Sequence, residues 1–169
     1  MIIPMTAAGH AALQEELRHR LRSERPRLAR QLQQAIADDP NLVENSEYQA
    51  TLAEQGVNDT RIAELEDMLA HAEVIDVSRL SGETVTFGVT VTLIDEKTGD
   101  KRICQIVGEP EADARKGRVS VSSPIARALI GKRKGPTVVV EAPGGERTYQ
   151  IQQVAWSEHH QVDAGKVLK

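Results

Sequence analysis

Cysteine is almost missing from this 169-residue chain: Cys104 stands alone, so no internal disulfide can form and no thiolate cluster exists for a structural zinc. It reads as a half-buried strand residue. Aromatics are nearly as scarce, with one Phe, one Trp and two Tyr, which excludes the broad stacking surfaces that grip single-stranded nucleic acid. Excess positive charge is lacking too. The 21 Lys and Arg are outnumbered by 25 Asp and Glu, for a formal charge of −4, and a protein that coats nucleic acid by general attraction needs the opposite balance. No stretch approaches the roughly 18 consecutive apolar residues of a membrane span, and the N-terminus has no cationic segment ahead of a hydrophobic one. A cytoplasmic protein without a membrane partner is expected. No nucleophile constellation or second ligand set is present, so neither an enzyme in its own right nor a small-molecule substrate is expected.

What is present is helical periodicity followed by strand periodicity. Thr6 can cap a helix running to about Ala37, with Leu13, Leu17, Leu21, Leu28, Leu32 and Ile36 at intervals of four and seven along one thin seam. Pro26 interrupts it and predicts a kink. A second helix opens near Asn45 or Ser46 and runs to about Ala72, with Tyr48, Leu52, Ile62, Leu65, Leu69 and Ala72 on its inner stripe. Each helix is apolar on one narrow face, so the two are expected to pair as an antiparallel coiled coil. Gln55 and Asn58 leave polar gaps in the seam, of the kind that weaken a pair while fixing its register. About thirty residues at ~1.5 Å each predict a stalk of roughly 45 Å.

Between the helices lies an acidic knot, Asp38-Asp39-Pro40-Asn41-Leu42-Val43-Glu44-Asn45-Ser46-Glu47-Tyr48. Carboxylates at the bend of a hairpin have no core to support, which reads as a cluster built to be delivered to a partner. Glu47 also has a structural reading, as an acid in the first turn of the second helix. Tyr48 is either a staple across the hairpin top or a base-stacking residue. Arg18, Arg20, Arg22, Arg25, Arg27 and Arg30 crowd the first helix. They are either a band that holds RNA by its phosphates or the ordinary charged flank of a coiled coil, balanced by Glu54, Asp59 and Glu64.

After Val74-Ile75-Asp76 the period changes. Val85, Phe87, Val89, Val91 and Leu93 alternate with threonines as a strand, 95–100 reads as a hairpin loop into a strand over 102–107, and 118–122 is a third strand. Ser123-Pro124 starts a short helix that Gly131 ends. Strands over 137–141 and 147–154 flank the turn Pro143-Gly144-Gly145. The fold class is α+β, with an N-terminal antiparallel α-helical coiled-coil hairpin over 1–76 and an antiparallel sheet with a short helix over 77–156. Residues 157–169, with His159 and His160, read as a flexible tail.

Three stretches carry a resemblance: Leu42-Val43-Glu44-Asn45-Ser46-Glu47-Tyr48; Arg61-Ile62 through Glu64-Leu65-Glu66 to Val74-Ile75-Asp76; and Ile106-Val107-Gly108 with Glu111-Ala112-Asp113, then Ser120-Val121-Ser122-Ser123-Pro124-Ile125-Ala126-Arg127-Ala128-Leu129-Ile130-Gly131-Lys132 and Pro143-Gly144-Gly145-Glu146. Together they resemble the Gre family of bacterial transcript-cleavage factors, nearer its GreA type. The resemblance implies an FKBP-like C-terminal domain and binding to bacterial RNA polymerase through its secondary channel. It also implies stimulated cleavage of backtracked RNA near the nascent 3′ end, with no cofactor of its own beyond the Mg²⁺ shared with the polymerase active site. By the same resemblance, Glu44 matches the second functional tip carboxylate. Asn41 stands where the family has the first, as a weakened ligand or a group that positions water. The tip loop is one residue longer than the family pattern, so Asp39 is a candidate to fill the vacant place. Asp39 and Glu44 are then the metal ligands, effective only in complex with RNA polymerase. The other outcome is a channel-binding regulator that stimulates no cleavage.

Overall fold

The computed structural model describes residues 1–76 and 82–156. They form two compact units: His10–His71, and Met1–Gly9 together with the described residues from Ala72 onward. The expected tail, with its paired histidines, lies outside the described residues.

In the helical unit, α1 (Ala7–His19) leads through a π turn at Arg20–Glu24 into α2 (Arg25–Asp38), and α3 (Ser46–Ala70) returns. The π turn is how the helix accommodates Pro26. A proline ring lacks an amide and crowds the carbonyl one turn back, so the turn ahead of it widens, and the Arg25 N–H reaches the Arg20 carbonyl instead.

The pairing is antiparallel, and polar contacts cross it along its length. Asn45 Nδ2 donates to the Ala35 carbonyl at 2.8 Å, Gln31 to Thr51 Oγ1 at 3.1 Å, Arg25 to Asp59 at 3.2 Å, Arg20 to Asn58 at 3.1 Å, and Arg61 to Glu16 at 2.9 Å. The seam differs from expectation at two places. Leu52 and Ile36 are 44% and 40% exposed, while Thr51 and Ala35 are 0% and 1% exposed. Heptad spacing explains both: counting back by sevens from Leu65 gives Asn58 and Thr51, and counting on from Leu28 gives Ala35. One residue off the heptad turns a side chain by about 100°. Hydropathy favoured the leucine and isoleucine, but the helical period decides. Ala72 leaves the helix altogether and enters a strand.

Arg61 grips Glu16 with two nitrogens, Nε at 3.0 Å and Nη2 at 2.9 Å, both side chains about a third exposed. The hydrogen bond from Arg61 holds the Glu16 carboxyl below the usual carboxylate range, against a smaller opposing effect of burial. This stabilisation is present above the unfolded glutamate pKa of about 4.3 and disappears as pH falls through the depressed native value. Glu16→Gln is expected to cost roughly 1 kcal/mol at neutral pH. It should also flatten the acid side of the stability profile, read by urea unfolding of the full chain at stepped pH.

In the second unit, β1 (Ile3–Met5) pairs in parallel with β2 (Ala72–Val74). Three-residue strands so far apart in the chain leave no periodic trace in sequence. Thr6 caps α1, accepting from the Gly9 N–H at 3.0 Å. Its own amide donates to Glu111 Oε2 at 3.0 Å and its hydroxyl to Glu111 Oε1, while the Gly108 N–H donates to Oε2 at 2.9 Å. A capping box normally uses a glutamate three residues past the cap. Here Gly9 holds that place, and the carboxylate comes from Glu111, 105 residues along the chain from Thr6. A Cβ on Gly9 would lie 1.8 Å from Glu111 Oε1, so only glycine fits.

The main sheet comprises β3 (Thr90–Asp95), β4 (Lys101–Val107), β5 (Arg118–Ser120), β6 (Thr137–Ala142) and β7 (Gly145–Ala155), ordered β5-β4-β3-β7-β6, with α4 (Pro124–Leu129) contributing to its core. It is mixed rather than antiparallel. β5 lies parallel to β4, because two 3₁₀ turns, Glu109–Glu111 and Ala114–Lys116, carry the chain back before it pairs. The expected long strand over 84–93 is broken by Gly88, whose φ of +86° ends the extended run. Only a bridge from Thr84 to Arg133 survives ahead of β3. Val85, Val89, Val91, Leu93, Ile106 and Ile151 fill the core beside Cys104, which is fully rather than half buried, and whose thiol burial pushes up to about 11. As expected, Ser123 caps α4 through the Ala126 N–H at 3.3 Å, with Pro124 at its first position.

Candidate functional site

The bend between α2 and α3 is built around Asn41 and Asn45. α2 ends at Asp38, and Asp39 leaves the helix with φ −146° and ψ 104°. The Asp39 carboxylate then accepts the Asn41 N–H at 3.0 Å, a turn that Asp favours across a residue such as Pro40, which has no amide to compete. The Asn41 carbonyl accepts the N–H groups of Glu44 and Asn45 at 3.2 and 3.0 Å, closing the next turn. Its side-chain Nδ2 donates to Glu44 Oε2 at 3.2 Å. One residue therefore gathers both expected carboxylates, Asp39 through its backbone and Glu44 through its side chain. All three are exposed. Asp39 Oδ2 and Glu44 Oε1 have no hydrogen-bond partner among the described residues.

Asn45 clasps the bend. Its Oδ1 caps α3 by accepting the Tyr48 N–H at 2.9 Å, and its Nδ2 donates to the carbonyls of Ala35 and Asp39 at 2.8 and 2.9 Å. Gln49 adds a bond to the Leu42 carbonyl at 2.9 Å. Sequence reading had Asn45 as a possible cap but missed the clasp, and Gln49 was missed entirely. The available signal was the small Ala35 one heptad from Leu28, which leaves room for the amide. Glu47 sits in the first turn of α3 as its structural reading required, Tyr48 is half-buried, and Val43 stands 87% exposed beside Glu44. Asn45→Ala should cost about 2 kcal/mol, combining the cap with two inward bonds. Faster amide exchange confined to the bend and the start of α3 would check that the loss is local.

Of the six arginines, four are engaged within the hairpin. Arg18 pairs with Glu15, Arg20 with Glu16 and Asn58, Arg25 with Asp59, and Arg27 with Glu24 and Glu54. Arg22 and Arg30 have no ion pair among the described residues. The structure thus lets most of the band serve as a coiled-coil flank and leaves two cations uncommitted. Among the described residues, no group of three or more His, Cys, Asp or Glu is arranged to hold a metal ion.

Comparison with known proteins matches residues 3–74 to the family described as "Transcription elongation factor, N-terminal" and residues 80–155 to "Transcription elongation factor, GreA/GreB, C-term". A curated relative from Nitrobacter winogradskyi, named Transcription elongation factor GreA, is 57% identical over 154 residues, covering 91% of this chain and 97% of its own. Another of the same name, from Bradyrhizobium diazoefficiens, is 56% identical over 154 residues, covering 91% of this chain and 98% of its own. A solved structure of the GreA factor homolog 1 protein of Thermus thermophilus is 26% identical, covering 92% of this chain and 99% of that one, with a TM-score of 0.42.

Proposed function

This chain belongs to the GreA/GreB family of transcription elongation factors, and from that premise we propose that it binds bacterial RNA polymerase, enters the secondary channel and stimulates cleavage of backtracked nascent RNA. The polymerase performs the hydrolysis. This chain lends oxygen ligands and is not itself the enzyme. No helix among the described residues is long and apolar enough to cross a membrane, and the proposal places the chain in the cytoplasm with its polymerase.

The observation that carries this reading is the exposed bend, where Asn41 holds Asp39 and Glu44 while each carboxylate keeps one oxygen uncommitted. Two such oxygens are too few for Mg²⁺, which takes an octahedron of hard oxygen ligands. The tip therefore fits the ion only as part of a site that a partner completes, with Glu44 and Asp39 as the residues that would hold it. Bound there, Mg²⁺ supplies Lewis-acid stabilisation and a more acidic water. The Asn41 amide steadies Glu44 through its donated hydrogen bond, and the Asn45 clasp holds the turn against α2. Arg22 and Arg30 are free to contact phosphates of the extruded 3′ segment. Stalled elongation complexes with and without the protein test the reading: shortening of the transcript from its 3′ end should appear only with it.

One observation favours a second reading, a channel-binding regulator without cleavage. Asn41 is a neutral amide and so brings no negative charge to the tip, and its nitrogen is turned to Glu44 as a donor. Asn41→Asp separates the two. If cleavage is native to this chain, the substitution should change its rate by less than about threefold; a rise of about tenfold or more from an inactive start would establish the regulator.

A further inference from the structure

Lys132-Arg133-Lys134 is the only run of three cations in the chain, and it lies between Gly131 and Gly135 with all three residues exposed. None of them forms an ion pair among the described residues, in contrast to most of the hairpin arginines. Their backbone is pinned rather than loose. The Gly131 N–H donates to the Val85 carbonyl at 2.9 Å, Val85 N–H to Lys132 at 2.8 Å, Lys134 N–H to Glu83 at 3.3 Å, and Gly135 N–H to Ile151 at 2.9 Å. Thr84 and Arg133 form an isolated bridge at the centre. Glu83 is thus the acid nearest by backbone pairing, and it makes no ion pair with any of the three.

Three unpaired cations on a fixed loop, in a chain of net charge −4, form a local field opposite to the whole. Residues 130–137 contain no aromatic or Met, so of the residue types that dominate protein–protein hot spots only Arg133 stands there, beside a single partly exposed aliphatic, Ile130. Contact with a phosphate backbone needs only unneutralised Lys and Arg. Along extended backbone, alternate residues lie about 6.6 Å apart by two strand rises, close to the step between neighbouring phosphates. A duplex suits the loop better than a single strand, because it carries the denser charge and needs no stacking platform.

We propose that this loop is a sequence-independent contact for the phosphate backbone of duplex DNA. The measurement needs no polymerase, so its outcome is independent of the cleavage reading. In nitrogen-15 spectra of the full chain, a short DNA duplex at low salt should shift the amides of 131–135 and 83–85. Affinity should fall roughly forty-fold between about 50 and 200 mM salt, as expected when about three phosphates are neutralised and each adds ~0.9 to the slope of log affinity against log salt through counterion release. K132Q/R133Q/K134Q should lose those shifts and bind at least about tenfold more weakly with an unchanged melting temperature. K97Q/K101Q, which removes charge elsewhere in the sheet unit, should bind as the parent does. The proposal is overturned if the triple variant binds the duplex like the parent, if only hairpin amides move, or if the loop responds to single-stranded RNA or polyglutamate and not to the duplex.

Discussion

Glu44→Ala is expected to reduce stimulated transcript cleavage by about a hundredfold, equivalent to roughly 2.7 kcal/mol of activation free energy, while binding to RNA polymerase stays within about twofold. Glu44 is exposed, and the only hydrogen bond its carboxylate makes among the described residues is accepted from Asn41 Nδ2, so removing it leaves no buried donor stranded and no core void. The bend does not depend on it, because its turn is closed by backbone bonds to the Asn41 carbonyl and by the Asn45 clasp. What disappears is an anionic oxygen ligand, and charge-assisted contacts are about twice as strong as neutral ones. Glu44→Gln separates charge from shape: it keeps an oxygen but should recover little of the rate. Equal cleavage by parent and Glu44→Ala proteins, at saturating factor, would remove Glu44 from the reaction.

Glu111→Ala should be the most destabilising single change, by about 3 kcal/mol or more. The Glu111 side chain is buried and accepts from the Thr6 N–H, the Thr6 hydroxyl and the Gly108 N–H. Truncation leaves three donors without their acceptor, and each unsatisfied buried donor costs about 1–3 kcal/mol less whatever water recovers. It also loosens the α1 cap, since the hydroxyl that accepts from Gly9 is oriented by Glu111. Glu111→Gln should cost less, because the amide keeps one acceptor oxygen while turning its nitrogen towards a donor. Urea unfolding followed by Trp156 suits the measurement. This single indole donates to the Gly82 carbonyl at 2.6 Å and packs at the edge of the sheet core. A Glu111→Ala protein as stable as the parent would show that the long-range cap is incidental.

Local chemistry made much of this architecture legible before any coordinates. Thr6, Asn45 and Ser123 announce helix starts because capping is settled within three residues, and Pro143-Gly144-Gly145 announces its turn for the same reason. The bend was readable as a site because charge clustered where no core required it. Illegible features depend on partners distant in the chain. No local pattern tells Glu111 that it will cap a helix beginning at Ala7, or β1 that it will pair with β2. The seam errors at Leu52 and Ile36 came from weighing hydropathy above phase, since buried Thr51 and Asn58 are satisfied by Gln31 and Arg20 across the pair. The break at Gly88 leaves no trace in sequence, because the alternation of valines on either side of it is intact. The charged-flank reading of the arginines was legible, and Asp59 and Glu54 do pair with Arg25 and Arg27, but Glu64 pairs with Arg61, and which arginines stay unpaired was a matter of register, which composition alone does not supply.

The most direct test of the central claim is the Mg²⁺ concentration at which a backtracked polymerase complex cleaves at half its maximal rate, measured with and without this protein. If the bend contributes oxygens to a weakly held ion, the protein should lower that concentration by about tenfold, and Glu44→Ala should return it to the value for polymerase alone. A half-saturating concentration that does not move when the protein is added, or that moves equally with Glu44→Ala, would contradict the account.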